Sequence, residues 1–308
     1  MLNTINFFSL SYINSIHYKK LIFIVFIQYL LRFALCIPLG ANLMLNNFYF
    51  NILVIATTCI AAGGLIINQS YTVSTIRNQL ENQVVDKRIT KKNAYCLFVI
   101  LNVLGVGIGF IITNHVEQPD LFGFFIVFSA LFYLYASFIS NIPIFNNILI
   151  SILAIFPLLI VGIIDLLPAI TSINQSLQTF VFSIILNYSF FLFFVCLIRA
   201  LVHDIVFIDE NKKGNRNTLS IWIGIKRTSY IIFFLVMVFL FAIIYYNYTV
   251  LYKNTVAVIY SLFFVLAPLL LLSVKVWESS NKIDFKFPLK LLDFVLFFSV
   301  CSLFLFLL

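Results

Sequence analysis

Long, unbroken apolar runs leave this chain few folds to choose from. About nine of them approach the roughly 20 residues a helix needs to cross a bilayer. They fall at 20–38, 48–68, 95–113, 121–140, 143–165, 177–198, 229–247, 255–273 and 290–308. The fourth and fifth are parted only by a short turn near Ser140 and Asn141, so an eight-run reading stays open. Membrane-barrel strands alternate polar and apolar residues, and these runs do not. Only 10% of residues are charged, against about 25% in soluble domains. The sequence therefore predicts an all-α fold: a polytopic membrane helical bundle, one membrane domain over 1–308.

The charges sort by side. Lys and Arg gather before the first run, after the second (Arg77, Lys87, Arg88, Lys91, Lys92), after the sixth (Arg199, Lys212, Lys213, Arg216, Lys226, Arg227) and after the eighth. The intervening connections hold only Lys253. By the positive-inside bias, the N-terminus and both long basic connections are cytoplasmic and the C-terminus is outside. A bacterial-type inner membrane is the default setting. The net charge of +8 is then explained by topology, with no nucleic-acid partner. The first run follows Lys19 and Lys20 without a small-residue cleavage site, so it reads as an uncleaved span. The cysteines have no metal-ligand spacing and read as small apolar packing residues.

Two polar connections, 69–94 and 199–228, are the candidate site loops. In the first, Asn68, Thr72 and Thr75 are spaced to share one helical face. The Ala61–Gly64 stretch just before it permits close helix approach. In the second, Asp204 and Asn211 share a face if the helix continues, and His203 either pairs with Asp204 or faces headgroups. Asp209 lies well round the helix from both, and Lys212, Lys213 and Arg216 form a basic cluster. The plainer reading of these groups is an interfacial helix end and lipid-headgroup contact. Arg32 is the one charge well inside a run, so it needs a partner from another helix or must snorkel to the surface. Asp165 and Asp293, at run edges, are expected to face headgroups. No phosphate-cradling glycine loop, HExxH or serine-nucleophile motif is present.

At these two loops the chain resembles the UbiA superfamily of membrane prenyltransferases. The family's first loop carries an Asn followed at four-residue steps by two Asp. Asn68 matches the Asn, Thr72 and Ile76 stand where the acids belong, and Arg77 matches a position that is often basic. In the second loop Arg199, Asp204 and Asp209 match, Phe207 and Asn211 replace acids, Lys212 and Lys213 match a basic pair, and Thr218–Leu219 is kept. The resemblance implies a nine-span bundle, Mg²⁺ as cofactor, and a prenyl diphosphate or other isoprenoid lipid as partner. It implies Asp204 and Asn68 as catalytic groups, with Asp204, Asp209 and Asn68 as metal ligands. Arg77, Arg199, Lys212 and Lys213 would bind diphosphate, and Asn211, Thr72 and His203 would support them. The implied reaction is prenyl transfer to an acceptor. Because the acid positions are depleted, a non-catalytic lipid-binding relative stands beside it. A transporter reusing the bundle stands last, for want of paired charges inside the runs beyond Arg32.

Overall fold

The computed structural model of the protein describes residues 18–79, 91–214 and 216–307, and these contain helices and turns with no strand. Helix α1, Tyr18–Leu30, runs on through a π-helical turn, Leu31–Cys36. It is followed by α2 (Asn47–Gln79), α3 (Lys91–His115), α4 (Phe122–Ser137) and α5 (Phe145–Val161), the last extended by a π-helical turn at Gly162–Leu166. Then come α6 (Gln175–Val206), the short α7 (Ile208–Lys213) and α8 (Leu219–Ile223), and α9 (Ile225–Tyr246). The chain closes with α10 (Thr255–Ser261), α11 (Ala267–Glu278) and α12 (Lys286–Cys301).

Local chemistry sets several of the breaks. A 3₁₀ turn at Ile139–Asn141 and a positive φ of 69° at Ile144 separate α4 from α5. Gly224, with φ 89°, turns α8 into α9 in a conformation that a side chain would disfavour. Asn254 caps α10 by accepting from the Ala257 amide at 3.1 Å.

Among the described residues, eight helices are long and apolar enough to cross a membrane, close to the nine expected. The remaining run is α1 with its π extension, which carries Lys19, Lys20 and Arg32. Large apolar side chains face outward along the helices: Phe190 is 63% exposed, Phe234 66% and Phe263 70%. Around a bundle of such helices only lipid is a compatible solvent for that surface. The protein is an integral membrane protein.

Two apolar cores fill the interior. One joins α1 through α5 and the first half of α6. The other joins the second half of α6 to α9, α11 and α12, and Phe191 and Leu296 pack against both. At 32 residues, α6 is long enough to serve both cores. Small residues bring α2 close to its neighbours. A Cβ on Gly64 would lie 2.2 Å from the Phe132 ring, and one on Gly105 would lie 2.8 Å from the Ala56 carbonyl oxygen.

The first core also encloses polar groups. Gln28 Nε2 donates to Thr57 Oγ1 and to the Pro157 carbonyl, both at 3.0 Å, tying α1 to α2 and α5. Arg32 Nη1 meets Asp165 Oδ2 at 2.7 Å, with 4% and 0% of the side chains exposed. Arg32 Nη2 donates to the Leu45 carbonyl at 2.6 Å, and Asp165 Oδ1 accepts from the Leu45 amide at 2.8 Å. Arg32 therefore neither snorkels nor lacks a partner, and Asp165 does not face headgroups as its place at a run edge implied. The π-helical turns at both residues bring the two side chains into one interior.

Removing one member of such a pair leaves a buried charge uncompensated, at a cost of about 3–5 kcal/mol. Asp165→Leu should lower stability by that order in detergent thermal unfolding. The double variant Arg32→Leu/Asp165→Leu should recover most of the loss, and failure to recover would mean that the pair acts through something other than charge burial.

Candidate functional site

The ends of α2, α4 and α6 and the start of α5 meet at one end of the bundle. Asp204, near the end of α6, is 6% exposed. A lone carboxylate at that depth requires hydrogen bonds. Asn147, near the start of α5, supplies one from Nδ2 to Oδ2 at 2.8 Å. The chain after α7 folds back over α6, where Ser220 Oγ donates to the Asp204 carbonyl at 3.0 Å and lies 3.1 Å from Thr218 Oγ1. This docking carries Arg216 to α2, where its Nη2 donates to Asn68 Oδ1 at 3.1 Å. The Arg216 charge lies within electrostatic reach of Asp204 and of the Tyr135 hydroxyl on α4.

Asn68, Tyr135, Asn147, Asp204 and Arg216 thus form one polar group contributed by four helices and a loop. On or beside the same elements, Asn147 Oδ1, Asn146 Oδ1, Gln69 Oε1 and Asn211 Nδ2 are buried without a partner, as are Arg32 Nε, Asn102 Oδ1, Gln178 Oε1 and Asn247 Oδ1 elsewhere in the bundle. Nearly all buried polar atoms in folded proteins are hydrogen-bonded, so each such atom has capacity that a ligand or water can complete.

Other residues singled out in the sequence lie elsewhere. The helix does not continue from Asp204 to Asn211. It breaks at Phe207 (φ −103°, ψ 29°), yet Asn211 is still buried, because α7 turns it inward. Asp209 is exposed on α7 and paired with Lys282, whose ammonium holds the Asp209 carboxyl below its ordinary range. Lys212 and Lys213 are exposed on the same short helix. Arg199 pairs with Asp293 on α12 at 2.5 Å, and His203 is exposed, its ring 4.4 Å from that of Phe207. The backbone of α2 runs through Thr72, Thr75 and Arg77, but their side chains lie outside the described residues, as does all of 80–90.

Among the described residues no three His, Cys, Asp or Glu come together. Among the described residues the donor set around Asp204 is one carboxylate, neutral amides and a guanidinium, and it does not fit a multi-carboxylate Mg²⁺ centre. A separate cavity of about 360 Å³, lined by Tyr188, Phe191, Phe239, Tyr260, Ser261 and Ser302 among others, lies toward the opposite end of the bundle.

Asn147 and Tyr135 were not legible as site residues. The one available signal was the Asn146–Asn147 pair at the head of an apolar run. Arg216 was visible only as part of a basic cluster.

A many-helix membrane bundle with a buried polar cluster at one end is the class of protein that the fold and site define. The model of the UbiA prenyltransferase family matches residues 21–300, and the chain belongs to that family. Its fold is similar to a digeranylgeranylglyceryl phosphate synthase at 17% identity, covering 96% of each chain with a TM-score of 0.63. It is also similar to a UbiA homolog from Archaeoglobus fulgidus bound to GPP and Mg²⁺. There the identity is 12%, the coverage 95% of this chain and 99% of that one, and the TM-score 0.58. A UbiA homolog from Aeropyrum pernix K1 in its apo form matches at 9% identity, covering 90% of this chain and 95% of that one, with a TM-score of 0.62. No curated protein matches the chain.

Asn147→Leu removes the hydrogen bond to the buried Asp204 carboxylate and should cost about 1–3 kcal/mol in thermal unfolding. Asn147→Leu combined with Asp204→Leu should be less destabilised than the single change. Equal or greater loss in the double variant would show that Asp204 does not depend on Asn147.

Proposed function

We propose that the protein is a membrane prenyltransferase that binds a prenyl diphosphate at the Asp204 end of the bundle and transfers the prenyl group to an acceptor. The observation that carries this reading is that two polar pairs, Arg216 with Asn68 and Asn147 with Asp204, lie at one end of the bundle, with Arg216 within electrostatic reach of Asp204. The Archaeoglobus fulgidus relative, bound to GPP or DMAPP with Mg²⁺, supports the substrate class.

Transfer requires the allylic C–O bond to break, the diphosphate to leave with the bonding pair, and an acceptor nucleophile to take the prenyl cation and lose its proton. The chief demand on the protein is to stabilise the leaving diphosphate. Arg216 would supply positive charge, with Arg77, Lys212, Lys213 and Arg199 adding to the basic field that draws the anion to this end. Asp204 would orient Asn147 and balance the guanidinium, and Asn68 would hold Arg216 in place. Asp209, Thr72 and His203 are further candidates for the approach to the site. No step is assigned to Mg²⁺, because the described donors do not form its centre. The site faces the cytoplasm, with the N-terminus on that side, the C-terminus outside, and a bacterial-type cell membrane as the setting.

A second reading, an isoprenoid-binding relative without turnover, is favoured by one observation: among the described residues no three His, Cys, Asp or Glu gather at Asp204 or elsewhere. Purified protein in lipid nanodiscs, given labelled prenyl diphosphates and a panel of acceptors, separates the two. The transferase reading expects product, and it expects Asp204→Ala to lower the rate by at least about 100-fold. Prenyl diphosphate binding without product from any donor and acceptor would establish the second reading, and activity surviving Asp204→Ala would move the site elsewhere.

A further inference from the structure

Among the described residues the polar cluster holds Asp204 as its carboxylate, beside the Arg216 guanidinium and the amide side chains of Asn68 and Asn147. Mg²⁺ is held through carboxylates and substrate phosphates. Here the positions that the resemblance assigns to acids are Thr72, Ile76, Phe207 and Asn211. One of these replacements does more than remove a ligand. Asn211 is 9% exposed, and its Nδ2 is buried without a hydrogen-bond partner. A carboxylate there would accept from a cation's shell, whereas the amide nitrogen donates and so suits an anion.

Arg216 is fixed beside this donor by the backbone, its amide donating to the Asn211 carbonyl at 2.9 Å. Its guanidinium reaches across to Asn68 on α2, within electrostatic reach of Asp204 on α6. A fixed positive charge therefore stands between the two loops. A guanidinium keeps its charge at any working pH, and its planar fork matches phosphate oxygens. Asp204 is the anion that keeps this charge compatible with the surrounding burial.

We infer that this protein captures the diphosphate of its ligand without a divalent metal: Arg216 and Asn211 bind the diphosphate oxygens directly. The inference rests on the prenyl diphosphate reading above and adds the means of recognition. It also explains how a chain without the acids at 72, 76, 207 and 211 can retain a buried polar site at the same end of the bundle.

The test is geranyl diphosphate binding to the full chain in lipid nanodiscs, by calorimetry, in EDTA and again in excess Mg²⁺. The expected result is binding in EDTA that changes less than about threefold on adding Mg²⁺. Arg216→Gln should weaken binding at least tenfold in both buffers, and Arg216→Lys should restore part of it. Asn211→Asp should weaken binding in EDTA and recover it on adding Mg²⁺, since a carboxylate returns a metal ligand to the site. Measuring thermal unfolding of each variant beside its binding separates lost recognition from lost folding. Binding by the unaltered protein that requires Mg²⁺ would overturn this inference and leave the prenyl diphosphate reading intact. Absence of binding in both buffers would overturn that reading as well. Unchanged affinity in a folded Arg216→Gln protein would exclude Arg216 as the anion-binding group.

Discussion

The buried ion pair between Arg32 and Asp165 is the constraint around which the first half of the bundle is arranged. Two charges removed from water are costly unless geometry and extra hydrogen bonds compensate. Here the compensation comes from the main chain as well as from the pair. Leu45, in the connection between α1 and α2, accepts from Arg32 and donates to Asp165. The pair therefore locks three separate pieces: the end of α1, the turn into α2, and the end of α5. Arg32 also lies over the Phe50 ring, its guanidinium carbon 4.4 Å from the centroid, which extends the lock to the start of α2.

That lock sits at the opposite end of α2 and α5 from the candidate site, and rigid helices connect the two. With one end of α2 and of α5 fixed, the other ends present Asn68 and Asn147 in defined positions. The chain uses buried polarity twice, for different purposes. At the Arg32 end the charges are paired, with Arg32 Nε alone left without a partner. At the Asp204 end hydrogen-bonding capacity is left over on Asn146, Asn147, Gln69 and Asn211.

The second loop shows how local rules and tertiary docking divide the work. Helical periodicity would have placed Asp204 and Asn211 on one face of a continuous helix. The helix instead ends at Phe207, and the short α7 turns Asn211 inward by another route. The hydroxyls of Thr218 and Ser220 then fasten the returning chain to α6, which carries Arg216 to Asn68. The more conspicuous charges of the same stretch, Asp209, Lys212, Lys213, Arg199 and His203, stay outside the cluster, paired across the surface or exposed to it. Charge density along the sequence marks this stretch, while the contacts it makes to α2 and α6 run through Arg216 and Ser220.

By itself the sequence determined the class and the run pattern, because membrane insertion depends on run length and apolarity, which are local properties. It also marked Asn68 and Asp204, through family resemblance. Only the tertiary structure decided that Arg32 pairs with Asp165, that Asn147 holds Asp204, and that Arg216 reaches Asn68. These contacts join residues far apart in the chain, such as Arg32 and Asp165 or Asn68 and Arg216. Periodicity and composition carry no information about which helix faces which. Helix packing alone makes a snorkelling arginine into a buried one, and carries a residue of a lysine-rich loop to a partner on another helix.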